Sequence, residues 1–353
     1  MKKMFYDKID PFLINHENKK YLFKKAINSL TLHHYKKSKE YKKILKFLGY
    51  KIKNSKLSEV PFLPARLFKE YDLLSTKKNK ISKTLLSSGT SGTTPSKIYL
   101  DKNNAHAQAK ALSKIMSSIL GNHRLPMLII DKNPKISDRS TFNAKSAAIY
   151  GFSIFGKDQT FILDNQEKIN YELLNNFLKK YNKEPFFIFG FTSLVFQTLV
   201  KKLSKKLLNF NFENGILLHG GGWKKMERIK ISNEKFKKKI LDKTGLKSIY
   251  NYYGLVEQTG SIFIECENCS CFVTSVYSEV LIRDEKFNIL RNGKKGLIQL
   301  MSLLPTSYPG HSILTEDIGE IIENNKCKCS LRGTRFKVYG RAKQSEVRGC
   351  SDI

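Results

Sequence analysis

Between Leu85 and Asp101 the chain reads LLSSGTSGTTPSKIYLD, a stretch in which Ser88, Gly89, Thr90, Ser91, Gly92 and Thr93 precede Lys97. Glycines let backbone N–H groups approach phosphate oxygens, hydroxyls donate further hydrogen bonds, and a lysine supplies charge. The spacing is not that of a P-loop, which needs four residues between its glycines and Lys-Ser/Thr directly after the second. Here two residues separate Gly89 from Gly92, and Lys97 follows five later. By composition alone the loop also reads as a flexible linker. Four later stretches bear on the choice. LHGGGWKK sets Gly220, Gly221 and Gly222 after an apolar run, where a flat ring fits on bare backbone. YNYYGLVEQTG joins Tyr252, Tyr253 and Gly254 to the carboxylate of Glu257. SILTEDIGEI presents Asp317 between two expected strands, suited to accept hydrogen bonds from sugar hydroxyls. YGRAKQSEVRG adds Arg341 and Lys343. Taken singly, a Tyr-Tyr pair is ordinary core and an Asp near a Gly an ordinary turn.

Five of the six cysteines fall in two groups, Cys266, Cys269 and Cys271 in ECENCSC and Cys327 and Cys329 in CKCS. C-x-x-C is a half-site for Zn²⁺, and a second pair from a neighbouring strand completes a tetrahedral thiolate site with four of the five. The alternative is buried reduced thiols. The sixth, Cys350, lies in RGCSD. His219 and His311 flank these motifs and read as structural.

The elements that must carry these residues follow from periodicity. Residues 18–48 read as helical, with Leu22, Phe23, Ala26, Ile27 and Leu30 at helical spacing and Gly49 as a stop. Val60–Ser75 reads as a proline-punctuated connector. PMLIID, TFILD, PFFIFG and GILLHG are short apolar runs bounded by breakers, with helical patterns at Tyr171–Tyr181 and Thr192–Leu203 between them. The alternation predicts an α/β domain with a largely parallel sheet. Beyond residue 260 the pattern becomes strand-rich, in SIFIEC, SEVLIRD, GLIQLMSLL, GEIIE and RFKVYGR. The expected organisation is a helical region at 1–80, an α/β core at 81–260, a smaller β-rich subdomain at 261–340, and a hinge and tail at 341–353.

The chain has 353 residues, 41% of them hydrophobic, enough for a sizeable core. Its formal charge is +32, from 63 Lys+Arg against 31 Asp+Glu. No basic run is long or aromatic-interleaved enough for a nucleic-acid stripe, so lysine reads as general surface cover and no nucleic-acid partner is expected. The start, MKKMFYDKIDPFLI, is broken by charges and Pro11 and is not a signal peptide. No apolar run reaches the length of a membrane span. The expected location is the cytoplasm, with thiols reduced unless metal-bound.

In order, the motifs are hydroxyl/Gly loop, Gly-Gly, Tyr-Gly-x-x-Glu, Asp-x-Gly and Gly-Arg. This order resembles the adenylate-forming superfamily, which activates carboxylic acids as acyl-AMP. PFLPARLFK, FGFTSLVFQ, YGLVEQTGSIFIEC, LPTSYPGHSILTEDIGEI and EVRGCSDI are more narrowly similar to the acyl-protein synthetase (LuxE) family, from about residue 55 onward. The resemblance implies a large α/β domain with a parallel sheet and a smaller β-rich subdomain. It implies ATP and Mg²⁺ as cofactors, a fatty or other carboxylic acid as substrate, and an acyl-accepting protein such as a reductase or carrier protein as partner. By position, it assigns Ser88, Thr90, Ser91, Thr93 and Lys97 to the pyrophosphate end of ATP. Gly221, Gly222 and Tyr252 or Tyr253 frame adenine, Glu257 holds Mg²⁺, and Asp317 binds the ribose with Arg341 near it. Cys350 becomes the acyl-carrying nucleophile, its thiolate favoured by Arg348 and Lys343. Related phenylacetate-CoA ligase-like enzymes carry a structural zinc. Many adenylating enzymes continue past the Gly-Arg hinge into a lid bearing a catalytic lysine. That lid is expected to be largely absent here, with Lys343 as the replacement. The alternatives are an acyl-CoA or acyl-carrier-protein ligase with Cys350 unused, and an inactive nucleotide-binding scaffold.

Overall fold

A computed structural model describes residues 9–87, 94–134, 141–203, 211–223, 231–323, 327–329 and 331–342. The described elements run α1 His16–Lys37, α2 Lys39–Phe47, β1 Leu63–Pro64, α3 Leu67–Glu70, β2 Ile81–Leu86, β3 Lys97–Asp101 and α4 Lys102–Leu120. There follow β4 Leu125–Ile130, β5 Thr141–Asn143, α5 Ala144–Ser153, β6 Gly156–Phe161, α6 Tyr171–Tyr181, β7 Phe186–Phe191, α7 Thr192–Val195, β8 Gly215–Gly220, α8 Asn233–Thr244 and β9 Ser248–Tyr253. The last six strands are β10 Phe263–Glu265, β11 Phe272–Val273, β12 Ser278–Arg283, β13 Gly296–Ser302, β14 Ser312–Ile322 and β15 Arg335–Arg341. These elements divide into two compact units. The first draws on Met1–Ile115, Ser140–Asn143 and Gly254–Val347, and the second on Met116–Arg139 and Ala144–Tyr253.

The second unit is the α/β part. Its strands pair in parallel, in the order β6-β4-β7-β8-β9. Met127–Ile130 and Phe186–Phe189 are fully buried, which is why these strands read as continuous apolar runs rather than alternating ones. Leu128, Ile130, Ile188 and Leu217 pack with α6 and α8 through Leu174, Phe177, Phe236 and Ile240. Asn170 caps α6 by accepting from the Leu173 N–H, and Gly245 ends α8 in the left-handed conformation.

The first unit holds an antiparallel sheet, β12-β13-β14-β15-β11-β10, with β1 added in parallel to β14. A separate small sheet pairs β3, β2 and β5. The predicted helix at 18–48 is two helices. Ser38 takes an extended backbone and its hydroxyl accepts from the Tyr41 N–H, so it ends α1 and caps α2. The expected strand at Thr160–Asp164 begins earlier, at Gly156, and ends at Phe161. Thr192–Leu203 is α-helical only to Val195 and continues as π-helix through Phe196–Lys202. The connector at Val60–Ser75 contains β1 and α3.

Three buried histidines set an acid limit on stability. In the first unit His34 stacks on His311 with centroids 4.7 Å apart. His34 bonds Ser75 Oγ at 2.7 Å, and His311 bonds Thr31 Oγ1 at 3.1 Å. In the second unit His219 bonds Thr192 Oγ1 at 3.0 Å. Burial depresses all three, His311 and His219 to about 3 and His34 well below its usual range. The folded state holds them neutral while the unfolded chain protonates them near pH 6.5. Their contribution is therefore intact above that pH and lost as the pH falls below it. Each histidine should change the unfolding equilibrium by roughly tenfold per pH unit in that window. Urea denaturation from pH 7.5 to 5 should show the midpoint falling below pH 6.5. A midpoint constant to pH 5 would contradict the buried neutral state.

Candidate active site

In the first unit the base of the hydroxyl/Gly loop is a closed hairpin neck. Ser87 N–H donates to the Ser96 carbonyl at 3.0 Å, and Ser96 N–H donates to Ser87 Oγ at 2.7 Å. The antiparallel pairing of β2 with β3 leads into this neck, with Leu86 opposite Lys97. Lys97 is half-exposed and lies 4.0 Å from Asp72, whose Oδ1 also accepts from Tyr99 OH at 2.6 Å. Ser88, Gly89, Thr90, Ser91, Gly92 and Thr93 lie outside the described residues.

Glu257 sits in a single turn of 3₁₀ helix, Val256–Gln258, and is 8% exposed. Three long-range hydrogen bonds hold this turn. Tyr308 OH donates to the Glu257 backbone carbonyl at 2.9 Å, and Gln258 Nε2 donates to the carbonyls of Leu300 and Gly310 at 3.1 and 2.8 Å. Burial raises the Glu257 carboxyl. The more distant Arg341 favours its charged form, and Glu316 opposes it. Arg341 Nη1 lies 3.6 Å from Glu316 Oε2. Asp317, expected between two strands, is inside the single strand β14, directly opposite Arg341 in β15. A register shift at Ile318/Gly319 follows it. Gly254 also belongs to this unit.

The turn and its neighbours are braced by the 304–311 segment, whose supporting role the sequence reading missed. Asn104 Nδ2 donates to the Leu304 carbonyl at 2.9 Å, while its Oδ1 accepts from the N–H groups of Thr306 and Ser307. Ser307 Oγ bonds the Tyr99 carbonyl at 2.7 Å, and His33 Nε2 bonds that of Thr306 at 2.9 Å. LPTSYPGHS stood out as a family-like stretch, but nothing local to Asn104, Tyr308 or Gln258 marked them.

In the second unit, Phe191, Gly220 and Tyr252 lie in one register row at the carboxyl ends of β7, β8 and β9. A Cβ on Gly220 would overlap the Tyr252 ring, so the close approach requires glycine. Gly221 follows at φ +78°, a conformation glycine adopts without strain. Tyr252 packs on Phe152 and Phe189, with ring centroids 5.0 and 6.4 Å away. Gly222 follows in the loop, and Tyr253 is half-buried at the end of β9. Ligands of open α/β sheets bind at this edge.

The cysteines gather in the first unit. The sulfurs of Cys266, Cys269 and Cys327 lie within 4.8 Å of one another, and Cys266 and Cys327 are 3.6 Å apart. Tetrahedral zinc with Zn–S near 2.3 Å sets sulfurs about 3.8 Å apart, so this geometry fits the ion. Cys329 Sγ accepts from Arg335 Nη2 at 2.9 Å. Cys271 instead turns its thiol to the Cys269 carbonyl at 3.3 Å. Burial raises Cys266 to about 12. Partial burial acts on Cys327 in the same sense, but hydrogen bonds from the Cys329 backbone and nearby thiols hold it at about 7. Lys343 and Cys350 lie outside the described residues. Among the described residues no helix is long and apolar enough to cross a membrane.

The sequence profile of the acyl-protein synthetase family LuxE matches residues 3–353. The long-chain-fatty-acid–luciferin-component ligase of Vibrio harveyi is 23% identical over 351 residues, spanning 95% of this chain and 88% of that protein. Among solved structures, an open conformation of 2-hydroxyisobutyryl-CoA ligase with 2-HIB-AMP and CoA superposes with a TM-score of 0.73 at 14% identity, covering 94% of this chain and 76% of that one. The luciferase-like enzyme of the mealworm Zophobas morio gives a TM-score of 0.51 at 15% identity over 77% of this chain and 60% of that one. These structural likenesses establish the fold, that of adenylate-forming ligases.

Proposed function

The chain belongs to the LuxE acyl-protein synthetase family, and on that premise we propose that it is an ATP-dependent ligase that activates a carboxylic acid as acyl-AMP and passes the acyl group through Cys350 to a partner protein. The observation that carries this reading is Glu257, a nearly buried carboxylate in a turn clamped by Tyr308 and Gln258, with Arg341 contributing favourable charge. An acid held this firmly away from water, at the position where the family motif expects a metal ligand, suits a reaction that neutralises departing phosphate.

In the first step a carboxylate oxygen of the acid attacks the α-phosphorus of ATP. The new bond is C–O–P, the α–β anhydride breaks, and pyrophosphate leaves. Ser88, Thr90, Ser91, Thr93 and Lys97 hold the pyrophosphate end, with Gly89 and Gly92 allowing the backbone close. Gly221, Gly222 and Tyr252 or Tyr253 frame adenine, Asp317 accepts from the ribose hydroxyls, and Arg341 lies near the α-phosphate. Glu257 would hold Mg²⁺, which when bound neutralises phosphate charge. In the second step the Cys350 thiolate attacks the acyl carbonyl, the C–S bond forms and AMP leaves. A thiol of an acyl-accepting reductase or carrier protein then attacks the thioester carbonyl, the bond to Cys350 Sγ breaks, and the Cys350 thiolate is released. Lys343 supplies positive charge during these steps. The test is ATP–pyrophosphate exchange driven by a panel of carboxylic acids. Exchange that no acid stimulates would overturn the activation step.

The cysteine group is the zinc site of this proposal, with Cys266, Cys269, Cys327 and Cys329 as ligands and Cys271 the spare thiol. Its role is structural, tying the β10–β11 turn to the segment before β15. Purified protein should contain about one zinc per chain, Cys327→Ser should lose metal and thermal stability together, and Cys271→Ser should keep both. Metal-free protein of full stability would return these cysteines to the reduced-thiol reading.

A further inference from the structure

One buried ion pair in the second unit has no part in the steps above. Asp131 directly follows β4, and Lys145 is the second residue of α5. Lys145 Nζ lies 3.0 Å from Asp131 Oδ1, and the two side chains are 11% and 4% exposed. The Lys132 N–H donates to the same oxygen at 2.8 Å. Oδ2 is buried and has no hydrogen-bond partner among the described residues. The ammonium can donate three hydrogen bonds, and Asp131 Oδ1 is its one hydrogen-bonding partner among the described residues. Lys145 also stands 6.0 Å above the Phe191 ring.

The location gives this pair its meaning. Ile130 is in register with Gly190, so Asp131 continues the row that runs on through Phe191, Gly220 and Tyr252. Along the carboxyl edge of the sheet, a charged pair is thus followed by an aromatic ring, a stretch of bare backbone and a second aromatic ring. A hydrocarbon chain gains nothing from a desolvated ammonium and an unpaired carboxylate oxygen. A buried acceptor without a partner, in turn, calls for a donor. The pair is net neutral, with donors to spare on Lys145 and an acceptor to spare on Asp131. That combination matches a neutral group that both donates and accepts, which is a hydroxyl.

We propose that Asp131 and Lys145 determine substrate specificity by reading a hydroxyl on the acyl chain, so that the acid activated is a hydroxy-substituted carboxylic acid rather than a plain saturated one. This rests on the acid-activating reading above. Pyrophosphate exchange is measured with straight-chain acids and with the same acids carrying a hydroxyl at successive carbons. Wild-type protein should favour one hydroxy acid over its unsubstituted parent by about 10²-fold in kcat/KM, the scale of hydrogen bonds to charged groups. The double variant Asp131→Asn/Lys145→Met should lose that preference while retaining exchange with the parent acid. Both residues are changed because removing one partner strands a buried charge, whereas replacing both is tolerated. If circular dichroism shows the double variant unfolded, Lys145→Arg is read in its place. It keeps the ion pair but sets a planar fork where the ammonium was, and it should narrow the preference. Equal use of the two series by wild type, or a variant that slows both alike, overturns the proposal. Exchange with no acid at all overturns acid activation instead. Calorimetric titration of the same acids then decides the pair, and equal affinity for hydroxy and parent acids overturns it.

Discussion

Glu257→Gln is expected to lower acid-dependent pyrophosphate exchange by about 10²-fold or more while leaving the fold intact. The two halves of that expectation rest on different atoms. Tyr308 grips the Glu257 turn through the backbone carbonyl, and Gln258 grips it through its own side chain. Neither contact uses the Glu257 carboxylate, so an isosteric amide leaves the turn in place. What the substitution removes is one negative charge at a buried position, and a metal held by that charge loses its ligand. Burial already raises this carboxyl, so the amide relieves a desolvation cost and should not destabilise the protein. The informative contrast is Gln258→Ala, which strips the clamp and should reduce both thermal stability and exchange. Near-normal exchange by Glu257→Gln in folded protein would remove Glu257 from the mechanism.

Cys350→Ser is expected to separate the two half-reactions completely. The variant should still form acyl-AMP from ATP and an acid, because no group assigned to that step is altered. It should fail to retain labelled acyl group through denaturation, whereas wild type should retain it and release it to neutral hydroxylamine, as a thioester does. The argument is chemical: a serine hydroxyl is essentially un-ionised at neutral pH, whereas a cysteine thiol ionises far more readily and its thiolate is the stronger nucleophile. A hydroxylamine-sensitive label that persists in the serine variant would assign the acyl group to another cysteine. Wild-type protein that never labels yet transfers acyl groups directly to coenzyme A would identify a CoA ligase with Cys350 unused.

Much of this protein was legible from short windows of sequence, because the signals involved are local. PMLIID, PFFIFG and GILLHG became β4, β7 and β8 since a parallel strand buried on both faces is apolar at every position. Tyr171–Tyr181 matched α6 because its cap, Asn170, and its apolar period lie within twelve consecutive residues. The C-x-x-C and C-x-C spacings announced a sulfur cluster for the same reason. The tertiary structure decided what no window contains. Tyr308 reaches Glu257 from 51 positions away, and Asn104 reaches Leu304 from 200. Cys266 meets Cys327 across 61 positions, and only that meeting separates Cys271 from the group. No motif singled out Asp131 or Lys145, yet strand register sets Asp131 in a row with Phe191, Gly220 and Tyr252, and α5 brings Lys145 to it. Strand formation depends on each residue's own side chain and its immediate neighbours. A buried polar contact depends on which distant backbone arrives opposite it, and that is settled by sheet pairing and packing.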